Sequence, residues 1–285
     1  MSDPTVLIRP SVVALAAAAC LVTAACQRPQ EPVEPAPDVE APSPPVVIVA
    51  TPPVMDRAAL LEAVARAAST YAEGRSGGDM AAGESLAGRR FLIRQAFGCQ
   101  APVDPAQGPV ADGTGGLIRA EGERDLKLTL TPIDWTPALA TAEGTDAWEA
   151  AEGFWLSWPW LRAETCPRPP VEATPDTETA PAPLAATPQS VGLAAVFETN
   201  SSRLGRRKGR AYEFTLRGEG QTAAVPDPGG YRLVMEGRLA AFGDGRAIRC
   251  RAAGPDQRPV CVAAVRLERV AFETATGQML GEWRS

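Results

Sequence analysis

Half of the prolines in this 285-residue chain are packed into two short stretches, and those stretches decide where a fold can form. Residues 27–45 (QRPQEPVEPAPDVEAPSPP) hold seven and residues 167–188 (PRPPVEATPDTETAPAPLAATP) another seven, of 28 in all. Proline fixes φ near about −65° and donates no backbone hydrogen bond, so neither stretch enters a helix interior or a central strand. Regular structure is therefore confined to 46–166 and 189–285. The first stretch reads as a semi-rigid tether in extended polyproline conformation. At ~3.1 Å per residue it holds a domain up to roughly 60 Å from its attachment. It is either an inert spacer or a Pro-rich docking ligand. The second repeats that composition. Structureless segments of this length are uncommon inside a compact domain, which makes 167–188 the expected boundary between an α+β domain over 54–166 and an antiparallel β domain over 189–285. The alternative is an excursion from one continuous β domain.

Periodicity fills in the rest. The β-branched run at 46–50 (VVIVA) is a candidate first strand. Asp56 suits the N-cap of a helix over 57–73, where Leu60, Leu61, Val64, Ala68 and Tyr71 recur at helical spacing until Gly74 ends it. Strands are expected over 90–99 and 117–121, and Leu126, Leu128 and Leu130 alternate with Lys127 and Thr129 as in a half-buried strand. Beyond the second Pro-rich stretch, strand patterns cover 191–198, 211–217, 231–242, 246–251, 260–272 and 279–283. Cys261, Ala263, Val265 and Leu267 alternate, but Val270 and Phe272 fall on the parity of Val262. That phase change calls for a bulge near Glu268 and Arg269. Three or more adjacent strands sharing an apolar face curl into a sandwich or open barrel. The expected fold is α+β, mostly antiparallel β, with one N-terminal helix.

Ahead of the tether, Arg9 precedes an uninterrupted apolar run at 11–25, too short to span a bilayer comfortably. Thr23, Ala24 and Ala25 then place small residues before Cys26, as at the end of a secretory signal. This segment resembles a bacterial lipoprotein signal, with Thr23 where the lipobox usually carries leucine. The resemblance implies that residues 1–25 are removed, that Cys26 is acylated, and that 26–53 tether the folded part to a membrane. Gln27 stands where an aspartate would resemble an inner-membrane retention signal, which implies the periplasmic side of the outer membrane in a cell that has one. An ordinary signal-peptidase cut and an uncleaved anchor are the alternatives.

Cys20 leaves with such a signal and Cys26 carries the lipid, so four of the six cysteines remain. In an oxidising compartment they imply two disulfides, with three pairings possible. Cys99–Cys166 and Cys250–Cys261 are favoured because each pair stays inside one candidate domain. No CxxC spacing points to redox or metal chemistry. The second pair closes a ring of about a dozen residues, worth about 3 kcal/mol in the loop-entropy picture.

The chain contains no histidine. This removes the commonest general base and zinc ligand, and with them Ser-His-Asp and Cys-His catalysis. Residues 74–78 (GRSGG) match GxSxG in form, but an expected helix precedes them and no histidine can serve them. A net charge of −6 gives no basis for nucleic-acid binding, and nothing implies a cofactor or metal. Three clusters remain. Arg203, Arg206, Arg207, Lys208 and Arg210 crowd a loop between two strands: either a solvated tip or a contact for phosphate head groups or anionic envelope polymers. Trp148, Trp155, Trp158 and Trp160 are either core or a ligand platform. Glu143, Asp146, Glu149 and Glu152 recur every three residues, which on a helix would bring neighbours onto one face. They are either a solvated acidic face or carboxylates for glycan hydrolysis. The expected function is a lipid-anchored, non-catalytic envelope protein, either a module that binds peptidoglycan, another anionic polymer or an envelope protein, or a structural accessory. The alternatives are a histidine-free glycan hydrolase using carboxylates within 143–152 and a protein inhibitor acting through the 250–261 hairpin.

Overall fold

The computed structural model of the chain describes residues 52–74, 86–104, 110, 112–120, 122, 124–140, 148–167, 189–199 and 202–285. The apolar run at 11–25, Cys26, the first Pro-rich stretch, the candidate strand at 46–50, Ser76, Glu143, Asp146 and residues 168–188 lie outside them. Helix α1 spans Arg57–Ala72, and the Oδ1 of Asp56 caps it by accepting from the Ala59 N–H at 2.8 Å. Leu60, Leu61, Ala63 and Val64 form its buried face. Tyr71 is 42% exposed, and its hydroxyl accepts a bond from the Ala252 N–H at 3.1 Å.

The strands are β1 (Arg90–Phe97), β2 (Gly115–Arg119), β3 (Leu126–Leu130), β4 (Ile133–Asp134), β5 (Trp148–Trp155), β6 (Val191–Glu198), β7 (Tyr212–Leu216), β8 (Tyr231–Leu239), β9 (Ile248–Arg251), β10 (Val260–Thr274) and β11 (Met279–Arg284), with a short α2 (Thr136–Ala140) after β4. The larger sheet runs β1-β8-β10-β6-β5-β4, and β9 and β11 also pair with β10; the smaller sheet runs β2-β3-β7. The fold is α+β, mostly antiparallel and sandwich-like. One pair departs from the antiparallel expectation: β6 and β10 are parallel, from Cys261 opposite Val191 to Val265 opposite Ala195.

Strand β10 is the hub. Its first half lies between β6 and β9, its second between β8 and β11. The register with β8 shifts between Leu267 and Arg269, where the change of phase requires a bulge. The extra residue returns Val270 and Phe272 to the core that already holds Cys261, Ala263 and Val265.

The second Pro-rich stretch is not a domain boundary. Strands from either side of it are partners in both sheets, β5 with β6, β1 with β8, and β3 with β7. Residues Ala50–Ser285 form a single compact unit. Composition shows that a segment cannot join a sheet; it does not show whether the strands flanking it are neighbours.

The main core gathers Leu60 and Val64 of α1, Leu126, Leu128 and Leu130 of β3, and Phe154, Leu193, Val265 and Phe272 of the large sheet. A smaller core holds Trp135, Ala151, Ala194, Phe242 and Ala264. Alternation along the strands assigns these to the opposite face, since Ala151 and Ala194 neighbour Glu152, Ala195 and Leu193 in the chain. Gly153 and Gly192 make the smaller core possible: a Cβ at either would overlap the Trp135 indole. Charged residues alternate across neighbouring strands in a row from β1 to β11. Arg90 pairs with Glu236 (2.8 Å), Glu236 with Arg269 (3.7 Å), Arg269 with Glu282, and Glu282 with Arg284 (2.9 Å). Both expected disulfides form, with Cα–Cα distances of 5.5 Å for Cys99–Cys166 and 4.0 Å for Cys250–Cys261, the latter direct cross-strand partners of β9 and β10. They are compatible with an extracytoplasmic location. Among the described residues, no helix is long and apolar enough to cross a membrane.

Candidate functional site

The basic segment and the acidic segment, two separate features of the sequence, are one assembly. Residues 202–211 connect β6 to β7 and fold into two successive tight turns, closed by Arg206 N–H to Arg203 O (3.2 Å) and Arg210 N–H to Arg207 O (3.1 Å). Gly205 and Gly209 take positive φ in these turns, and a Cβ on Gly205 would also lie 2.6 Å from the Ser285 Oγ. Lys208 shares the left-handed conformation (φ 53°) without being glycine. What holds it there is Glu152.

Glu152 sits on β5 and is only 5% exposed. Its Oε1 accepts from the Arg207 N–H at 2.8 Å and from the Lys208 N–H at 2.6 Å, while Oε2 lies 3.0 Å from the Arg207 nitrogen. Successive backbone N–H groups converging on one anion form a nest, here filled by the chain's own carboxylate. Glu149, three residues earlier on the same strand, takes Arg203 on Oε2 (2.6 Å) and Arg206 on Oε1 (3.0 Å). The hydrogen bond from Arg203, with the charges of Arg203, Arg206 and Lys208, holds the Glu149 carboxyl below the usual glutamate range. The Arg207 guanidinium lies 4.6 Å from the centre of the Tyr212 ring and donates to the carbonyls of Arg210 (3.1 Å) and Ala211. Burial, reinforced by Glu152, pushes the Tyr212 hydroxyl well above its ordinary range, although the Arg207 charge opposes this.

The loop is thus a built structure. Arg203, Arg206 and Arg207 have partners in the protein. Lys208 and the terminal nitrogens of Arg210 find no carboxylate among the described residues, and both residues are exposed. Under the loop lies a cavity of about 230 Å³, walled by Arg206, Arg207, Arg210, Tyr212, Trp283 and Glu152 among others. Trp283 meets Tyr212 edge-on at 5.2 Å and Phe272 likewise at 5.2 Å.

Glu149 and Glu152 are not on a helix. Residues 148–155 are a strand, in which a three-residue spacing would place Glu149 and Glu152 on opposite faces; the bulge between Trp148 and Ala150 breaks that alternation, and both carboxylates meet the same loop. The four tryptophans do not form one platform either. Trp148 packs on Phe242 (5.1 Å) and Trp155 edge-on against Trp135 (4.8 Å), both at the smaller core. Trp158 and Trp160 belong to the segment after β5. Buried Arg57 donates to the carbonyls of Ser157 (2.6 Å) and Trp158 (3.1 Å), and buried Gln95 accepts from the Ser157 N–H (3.0 Å). Trp160 alone is strongly exposed, at 58%. Tyr212, Trp283 and Arg284 escape a reading of the sequence because β7 and β11 bring them to the loop from distant segments, with no local motif. Among the described residues, no cluster of three or more Cys, Asp or Glu is placed to hold a metal ion.

Compared with models of protein families, with curated proteins and with solved structures, the chain matches none. The arrangement of the loop itself carries the functional reading.

Proposed function

We propose that this chain is a non-catalytic module of the cell envelope, held to the outer membrane by a lipid on Cys26, that binds an anionic envelope polymer through the loop at 202–211. One observation carries the reading. Both described carboxylates that a hydrolase would need are spent on building the arginine loop, Glu149 in ion pairs and Glu152 on backbone N–H groups. A general acid for glycoside cleavage needs a raised pKa, and Glu149 is displaced in the opposite direction. The loop, by contrast, is pre-organised, and ordering costs are what usually weaken a binding loop. It leaves Lys208 and Arg210 exposed, neither in direct contact with a carboxylate among the described residues. The disulfides support the compartment, and the signal-like segment at 11–26 supports the anchor.

The test is co-sedimentation of the secreted protein carrying Cys26→Ser, disulfides intact, with purified peptidoglycan sacculi across a salt series. Anionic vesicles serve as a second arm. Pelleting with sacculi that fades with salt, and that weakens in Lys208→Ala/Arg210→Ala, supports the reading. No pelleting at low salt, or pelleting indifferent to the double substitution, overturns it. Pelleting with vesicles alone moves the ligand from polymer to lipid.

A further inference from the structure

The cavity below the arginine loop is more selective than a charged surface needs to be. Its volume, about 230 Å³, is more than tenfold what a single ordered water requires and smaller than the ~300–1,000 Å³ of a drug-sized pocket. It is sized for one chemical group with a small body. Its walls are of two kinds. Phe197, Leu267, Val270 and Trp283 are apolar, whereas Arg206, Arg207, Arg210 and Arg284 are cationic. Glu152 is the only acidic side chain on the wall, and its oxygens already accept from two backbone N–H groups of the loop. Arg206 and Arg284 are paired with Glu149 and Glu282 and Arg207 donates to loop carbonyls, so Arg210 is the wall arginine whose terminal nitrogens are left to receive an anion, while the carboxylate on the wall is already committed, which disfavours a cation. Inorganic phosphate would satisfy the arginines but leave the apolar wall uncovered. A planar carboxylate matches the arginine fork, and an aromatic or branched body would cover the wall.

We infer that this cavity binds an organic carboxylate with a compact apolar body, its carboxylate against the arginine wall and its body against Trp283, Val270 and Leu267. The inference rests on the reading that the loop faces an anionic ligand, and it names the group that ligand presents. Such a group is either a free acid or the C-terminal end of a peptide, since both offer a carboxylate beside an apolar substituent. The site is largely formed without ligand. Arg207 is stacked on Tyr212, Arg206 is held by Glu149, and Glu152 fixes the loop above.

The probes are benzoate as a free acid, N-acetylphenylalanine as a peptide end, benzamide as the uncharged analogue of benzoate, and inorganic phosphate. Each is titrated into the disulfide-intact protein while the indole N–H resonance of Trp283 is followed by NMR, assigned by Trp283→Phe. Benzoate or N-acetylphenylalanine should saturate that resonance with a dissociation constant on the order of 0.1–1 mM, and whichever binds tighter identifies the source. Arg210→Ala, an exposed substitution, should weaken binding about tenfold with the unfolding curve unchanged. Val270→Phe should fill the cavity and abolish binding. Phosphate or benzamide binding as well as benzoate overturns the assignment of ligand class. Saturation that survives Val270→Phe places the acid elsewhere and overturns the site. The two readings fail separately: no response to either acid in protein that still pellets with sacculi refutes the cavity alone, whereas acid binding without pelleting refutes the polymer and leaves the cavity.

Discussion

Replacing Glu152 by alanine tests whether one buried carboxylate holds the arginine loop. The side chain is 5% exposed and takes bonds from the backbone N–H groups of Arg207 and Lys208 at 2.6–3.0 Å. Hydrogen bonds to a charged partner contribute about 1.5–3 kcal/mol each, so two donors set an upper limit of about 3–6 kcal/mol. Three effects reduce it. Lys208 is exposed, so water replaces part of what its N–H loses, and release of the loop relieves roughly 1 kcal/mol of left-handed backbone strain at that residue. Removing a buried charge also recovers part of its desolvation cost. The net expectation is a loss of about 2–3 kcal/mol for Glu152→Ala, and about half of that for Glu152→Gln, whose amide oxygen still accepts. Guanidinium unfolding at neutral pH with both disulfides oxidised measures the loss. Hydrogen exchange at the Arg207 and Lys208 amides should accelerate in the same variants. A loss under about 0.5 kcal/mol with both amides still protected would mean that the turns form without the carboxylate, refuting the argument that Glu152 builds the loop.

Three further expectations follow from other contacts. Because the folded state holds the Glu149 carboxyl low, that ion pair stabilises the fold above the unfolded glutamate value of about 4.3 and is lost as pH falls through the depressed folded value. Glu149→Gln should therefore flatten the acid limb of stability below about pH 4.3, as pH falls toward the depressed folded value; an unchanged acid limb contradicts the assignment. Removing Cys99–Cys166, with 67 residues of separation, should cost about 4 kcal/mol, against about 3 for Cys250–Cys261 with 11, so a reversed order in the two double-alanine variants would refute the loop-length reasoning. Gly153→Ala should destabilise by about 1–3 kcal/mol through displacement of Trp135, and Trp135→Leu in the same protein should recover part of the loss; additive effects would show that the indole is not what the methyl meets.

Local physics made much of this fold legible in the sequence. Asp56 and the apolar spacing after it define α1, and the phase change along β10 locates its bulge before any partner strand is known. Strand β5 was hidden because Glu149 and Glu152 invite a helical count, and because glycine at 153 looks like weakness where it is room for Trp135. The domain division failed because pairing between distant segments leaves no trace in composition. The site was half legible. The density of arginine at 203–210 was plain, but its pairing with β5, and the contributions of Tyr212 and Trp283, depend on contacts across 50 residues or more that no local pattern encodes.

The position of β10 also has a consequence in time. It alone joins the β8–β1 side of the large sheet to the β6–β5 side, yet at Val260–Thr274 it follows all of those strands in the chain. Until a ribosome, or a pore through which the chain is threaded, has released that strand, the two sides have no shared neighbour in the sheet. Assembly of the main core must then be a late, concerted event rather than a growth from the N-terminus. A chaperone that keeps the emerging chain from aggregating would act on an intermediate holding everything except its keystone.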